Sequence, residues 1–461
     1  MNKLTCMPFV RRSHENNAVL INHDPSDASS CLVKTECGHV YTLDNITKSF
    51  DGKKLRDRRC SRCNKLALPL RVLKGRPDEN NPYCLSPALD AACKGDTKIL
   101  RLLLQSQPEL ALANLRNPQD ESEITLLYAA ASHGQVSAVK LLLEYGSDVG
   151  ATERFGAERG FYTPLIIALV NGHHDVVEIL ASDKTAVNSP DSSSGHLYYL
   201  PPLVMAKDLK SAQILVNNKA DVNATACGGD AHSATPLFFA AQKGNASMVK
   251  FLVQHGANVN AVISNNPGKN GVTPLFSAAL EGNASIVEYL LLHGAHVDAV
   301  TEVDAEDIGL TPLLIASKNG HTQVVRVLLK YGANANGMVH SEQQRGLTSL
   351  IFAAMYGNLK IVKLLLKNNA NVNAVITSGE FEGYTALCFA AKNGHGRVAE
   401  ILLKNNADVN VVQKNGKSAF DNAVENKHLT IAKLLQMHGA KEKLGSYMVR
   451  PALQGKVFHH D

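Results

Sequence analysis

The motif Thr-Pro-Leu-x-x-Ala begins at Thr163, Thr235, Thr273 and Thr311, and nothing else in the chain restricts its fold so tightly. The last three starts are evenly spaced, and the first interval is nearly twice as wide, leaving room for one further copy. Looser copies begin at Ser86, Thr125, Pro201, Thr348, Thr385 and Ser418 and complete ten units. Each continues through a Gly turn into an apolar segment, as in Gly244-Asn245 followed by Met248, Val249, Phe251, Leu252 and Val253, and most close on Gly-Ala-x-Val-Asn or a near relative. The residue types fit their places. Thr caps a first helix, Pro suits its first turn, and Leu and Ala face a neighbouring unit. Gly then permits a tight reversal at positive φ. No unit of this size can bury its own apolar face, so the copies must stack on one another.

This pattern resembles the ankyrin repeat, over all but about the first 85 and last 20 residues. The resemblance implies a mostly α fold: an ankyrin-repeat solenoid of ten helix-turn-helix units with elongated hairpin fingers over residues 81–440. A small α+β zinc-binding domain would occupy residues 1–80 and a flexible tail residues 441–461. It also implies a concave helix face that grips a protein partner.

The distance from the Thr position to the closing Asn is identical from Thr235 to Asn260, from Thr348 to Asn373 and from Thr385 to Asn410. The helical body is therefore constant. The next start is not: Ser418 follows Asn410 closely, whereas Thr273 follows Asn260, and Thr385 follows Asn373, only after a longer stretch. Most connecting hairpins are thus longer than the unit needs, and extra residues in a solenoid go to loops on one face. Enlarged fingers are expected at 263–271, 301–309, 338–346 and 377–383. Glu302, Asp304, Glu306, Asp307, Glu380 and Glu382 lie on them, either as solvated tips or as part of a partner-binding edge. The fourth unit departs from the others. Pro201 to Asn223 is shorter than the common body and lacks the turn glycine, so its helix pair must be shortened or distorted. His173, His321 and His395 recur after turn glycines, which points to turn hydrogen bonding rather than metal ligation.

Five of the nine cysteines (Cys6, Cys31, Cys37, Cys60 and Cys63) fall near the amino terminus, a clustering that points to a metal. Cys37-x-His39 is followed by Cys60-x-x-Cys63, and three thiolates with one imidazole suit tetrahedral zinc. Ligation would add on the order of 10 kcal/mol of apparent folding energy to a domain with little core. The segment Cys37-Gly38-His39-Val40-Tyr41 through Ile46, then Cys60-Ser61-Arg62-Cys63, resembles the RING-finger and U-box families of ubiquitin ligases. Its order matches the second of the two RING zinc sites.

The resemblance implies one zinc, with the first site replaced by packing as in a U-box, and a ubiquitin-conjugating enzyme contacted by Met7, Pro8 and Phe9. Catalysis would then be scaffolding, in which no side chain of this protein attacks anything. Three positions depart from the family pattern: Ser49 stands where many members carry Trp, Ser61 where Pro is usual, and Asn64 where Arg is frequent. A non-enzymatic adaptor with a purely structural zinc, or with reduced and unligated cysteines, therefore stays open. Ankyrin arrays joined to such modules resemble both eukaryotic adaptors and effectors that intracellular bacteria deliver into host cells.

At 461 residues the chain would ordinarily suggest about three domains. Its 47 basic and 42 acidic side chains leave a net charge of +5 spread along the length, which gives no support to nucleic-acid or membrane binding. No apolar run approaches the roughly 18 residues of a membrane span, and the polar start has no secretory core. A cytosolic protein is expected, in the host cytosol for a delivered effector. Gly416-Lys417-Ser418 imitates the end of a phosphate loop, but Val411 stands where its first glycine belongs. Cys84, Cys93, Cys227 and Cys388 are isolated, and Cys388 suits a small buried position.

Overall fold

The structure is a computed structural model that describes residues 87–116, 123–151, 162–188, 200–226, 233–263, 271–302, 308–341 and 344–441, with three short strands before them. Apart from the short helix Lys184–Asn188 and the 3-10 turn Pro108–Ala111, the described helices form ten pairs. Their first helices are Pro87–Lys94, Leu126–Ser132, Pro164–Asn171, Pro202–Met205, Pro236–Gln242, Pro274–Leu280, Pro312–Asn319, Ser349–Met355, Ala386–Lys392 and Ala419–Glu425. Their second helices are Thr97–Ser106, Val136–Glu144, His174–Ala181, Leu209–Asn217, Ala246–Gln254, Ala284–Leu292, Thr322–Lys330, Leu359–Lys367, Gly396–Lys404 and Leu429–Met437. These are units one to ten, in the register expected from the repeated Thr.

The Thr position acts as a cap, as its chemistry suggests. The Phe276 N–H donates to Thr273 Oγ1 at 3.1 Å and the Leu314 N–H to Thr311 Oγ1 at 3.3 Å. The Leu two residues on is fully buried at Leu237, Leu275, Leu313, Leu350 and Leu387, within one apolar core that runs from Ala88 to Leu435. Each first helix packs on the first helix of the next unit, and second helices form a parallel but looser row. The first helices are therefore the more closely packed side of the stack, the side that the repeat resemblance assigns to the concave wall.

Two kinds of polar bridge recur between neighbouring units. In the first, His173, His321 and His395 set Nε2 at 3.0, 2.9 and 3.1 Å from the carbonyl oxygens of Ser132, Leu280 and Met355, at the ends of the preceding first helices. A nitrogen facing a carbonyl must carry the proton, so these histidines are hydrogen-bond donors, as expected, but they donate to the turn of the preceding unit and not to their own. The His395 ring lies against Gly357, at φ 71°, where a Cβ would fall 2.6 Å from its Nδ1. In the second, the closing Asn bridges to the following unit. Asn260 donates to the Gly294 carbonyl at 3.0 Å and accepts from the His296 N–H at 2.9 Å, and Asn336 and Asn373 repeat the arrangement.

The fourth unit is shortened as its residue count requires: its first helix, Pro202–Met205, has four residues, while the second keeps nine. Near the amino terminus, Leu32–Lys34 is the centre of an antiparallel sheet, between Val40–Thr42 on one side and Arg71–Val72 on the other.

Candidate interaction surface

The expected fingers are present as hairpins closed at their bases. The Ile376 N–H donates to the Tyr384 carbonyl at 3.0 Å, and the Gly383 N–H returns to the Ile376 carbonyl at 2.8 Å. Thr301–Glu302 pairs antiparallel with Ile308–Leu310, and Met338 bridges to Thr348. A glycine stands two residues before the capping Thr in each of these units, and Gly309, Gly346 and Gly383 adopt φ of 91°, 93° and 87°. A Cβ on Gly383 would lie 2.6 Å from Gln413 Cα on the next finger. This Gly-x-Thr spacing is visible in the chain and was the signal for finger packing that sequence reasoning missed.

Successive fingers are joined rather than separate. The Thr377 N–H donates to the Arg345 carbonyl at 2.8 Å, the Arg345 N–H to Ser378 Oγ at 3.1 Å, and the Lys414 N–H to the Glu382 carbonyl at 3.1 Å. From unit eight onward the fingers thus form a single edge, preorganised for docking.

Among the acidic residues expected on that edge, Glu380 is exposed, while the half-buried Glu382 pairs with Lys414 at 2.7 Å. That pair neutralises Glu382 inside the molecule. Glu302 is described as part of its strand only, and Asp304, Glu306 and Asp307 lie outside the described residues, as do Met7, Pro8, Phe9 and the zinc-ligand set Cys37, His39, Cys60 and Cys63. In sequence, Cys37 and His39 stand between the paired strands Leu32–Lys34 and Val40–Thr42.

Aliphatic side chains recur two residues after the closing Asn or Asp. Val262, Val300, Met338, Val375 and Val412 each stay more than a third exposed, one per unit over five consecutive units. Val262 and Val300 flank an open groove of about 520 Å³ that also includes Asn260, Thr273 and His296. On the concave wall Tyr356 is 52% exposed, and Lys318 Nζ lies 6.0 Å from the Phe352 ring centre. Lys392 Nζ lies 5.1 Å above Phe381 and 5.5 Å from Tyr384. The exposed Tyr356 ring, the exposed aliphatic row and cations seated over the buried rings of Phe352 and Tyr384 provide the kind of anchors on which protein interfaces concentrate their binding energy.

The described cysteines and the Gly-Lys-Ser stretch are each committed to the repeat structure. Burial, with Asp90 adding, pushes the Cys93 thiol up to about 11. Cys388 is buried and accepts from Thr385 Oγ1 at 3.3 Å. In the Gly-Lys-Ser sequence, Ser418 caps Ala419–Glu425 in a reciprocal capping box with Asp421 and Lys417 pairs with Glu425 at 2.7 Å, so both are committed to the repeat.

The family model for ankyrin repeats, in sets of three copies, matches residues 71–153, 88–191, 203–301, 299–376 and 375–444. The chain belongs to the ankyrin-repeat family. It is similar to an ankyrin repeat and KH domain-containing protein of Caenorhabditis briggsae, at 30% identity over 40% of this chain and 6% of that one. A Caenorhabditis elegans protein of the same description is 27% identical over 36% of this chain and 7% of its own. The Notch-regulated ankyrin repeat-containing protein of Xenopus tropicalis is 30% identical over 21% of this chain and 80% of that one. The chain thus spans under a tenth of the nematode relatives. Ankyrin repeats give the protein a role in protein–protein interaction, and among the described residues no helix is long and apolar enough to cross a membrane.

Proposed function

We propose that the ankyrin wall recruits a protein substrate and that residues 1–80, as a RING/U-box-like domain, bring a charged ubiquitin-conjugating enzyme to it. The observation that carries the recruiting half is the preorganised edge: fingers cross-linked by main-chain hydrogen bonds beside a wall bearing Tyr356, Lys318 and Lys392. The transfer half rests on the Cys37, His39, Cys60 and Cys63 pattern. Zinc held by these four residues would supply structure, not reactivity. Met7, Pro8 and Phe9 would provide the apolar contact to the conjugating enzyme. Rate enhancement would come from effective concentration of the two bound proteins. The protein would work in the cytosol, the host cytosol if it is a delivered effector.

The full chain incubated with ubiquitin, activating enzyme and a panel of conjugating enzymes should form ubiquitin chains, and a Cys60→Ala variant should lose this activity together with its single zinc by mass spectrometry. Zinc bound without activity across the panel would leave a recruiting adaptor with a structural metal. Two zincs or none would refute the ligand assignment.

A further inference from the structure

The net charge of +5 looks evenly spread in sequence, yet the helical register gathers it on one face. The second helices of units seven to ten expose three rows of cations. Lys330, Lys367 and Lys404 end the first three of these helices; Arg326, Lys363 and Lys433 occupy the middle turns of the first, second and fourth, where the third carries Glu400; Lys360 and Arg397 lie in the first turns of the second and third. Glu400 is the one carboxylate on these four helices. The second helices of units one to six, by contrast, carry five cations against four carboxylates.

The fold does not require this arrangement. A cation favours the last turn of a helix, which accounts for Lys330, Lys367 and Lys404, but Lys360 and Arg397 sit in first turns, where the helix dipole opposes them. Lys360, Lys363 and Lys367 also repel one another at spacings of three and four positions. Some of the charge is compensated. Lys404 beside Glu400 holds that carboxyl below its ordinary range, with Arg397 and Lys363 adding, and Lys330 reaches Glu288 at 2.8 Å. Arg326 donates to the neutral Gln323 on its own helix, at 3.3 Å.

We propose that this face docks onto an anionic membrane surface. Its cations form a grid over parallel helices instead of converging on a pocket, which suits a delocalised sheet of headgroup charge. Six of the eight are lysines, point charges on flexible stems. The last-residue row also continues into exposed apolar side chains at both ends, running Leu292, Lys330, Lys367, Lys404, Met437, with Leu292 64% and Met437 82% exposed. Cations flanked by apolar groups that can enter the headgroup boundary are the chemistry of interfacial binding. Tyr289 and Tyr331 on this side are poor platforms for base stacking, because Lys250 lies 5.9 Å over the first ring and Lys330 5.1 Å over the second. The concave wall stays free for its protein partner.

Flotation of the full chain with phosphatidylcholine vesicles, with and without phosphatidylserine, tests this. Binding is expected only with phosphatidylserine and should weaken with salt. Replacing Lys360, Lys363 and Lys367 together by Gln should weaken it about a hundredfold, roughly fivefold per lysine. The matching change of Lys140, Lys210 and Lys250 to Gln should leave it unaltered. Met437→Ser should reduce binding without changing its salt dependence. Removing like-charge neighbours should keep or raise the melting temperature of the first variant, so weaker flotation would not reflect unfolding. The proposal is overturned by equal binding to both vesicles, by equal losses in the two triple variants, or by capture of polyglutamate or duplex oligonucleotide at a salt concentration where vesicles do not bind.

Discussion

Unit four and its neighbours perform the same structural task with different residues. In units three, seven and nine a glycine turn adjoins a histidine that reaches back to the preceding helix. Unit four has lost a turn of its first helix and the glycine with it, yet Lys207 Nζ donates to the Val170 carbonyl at 2.8 Å, the counterpart of the Ser132, Leu280 and Met355 carbonyls. Asp208 then caps the second helix through the Ser211 N–H at 2.9 Å. At these junctions a donor meets the open carbonyl at the end of the previous first helix, and neither the helix length nor the identity of the donor is fixed. The outer faces differ in the same spirit: units one to six balance their charge, whereas units seven to ten do not.

Substitution can test how interchangeable these donors are. His395→Ala removes a half-buried ring from both the Met355 carbonyl and Gly357, and should cost about 1 kcal/mol in urea unfolding, because Asn393 still donates to Met355. An effect of opposite sign is expected where a side chain occupies a turn that glycine fills elsewhere. Lys427 at φ 62° and Lys219 at φ 69° stand in the left-handed region, and Lys427→Gly should stabilise the protein by about 0.5–1 kcal/mol, read as a raised melting temperature. The smallest change belongs to unit four: Lys207→Ala should cost less than about 0.5 kcal/mol, since water can replace an exposed ammonium. A larger loss at Lys207 would mean that water does not replace that contact.

Much of this architecture was legible in the sequence, because stacking writes the same residue types at one spacing. Thr273, Leu275 and Asn260 declare a cap, a core position and a bridge through recurrence, and the short count from Pro201 to Asn223 already announced the clipped helix. The finger edge was legible only as excess length. Thr377 and Arg345 are joined main chain to main chain between neighbouring units, and no side-chain type marks such a bond. Glu382 read as a free acid because its partner, Lys414, belongs to the next unit. The basic face escaped notice for a related reason: Lys330, Lys367 and Lys404 each lie a full repeat apart in the chain, and only helix register shows that they stand side by side.

The claim beneath all of this is that no unit stands without its neighbours. Leu350 is fully buried between adjoining units, so Leu350→Ala should destabilise the stack by about 2–5 kcal/mol. Hydrogen–deuterium exchange read by mass spectrometry on that variant is the most direct test. Faster exchange spreading through the first helices of units five to ten, and weakening across Pro202–Met205, is the predicted result. Faster exchange confined to Ser349–Met355 and Leu359–Lys367, with every other pair unchanged, would contradict it.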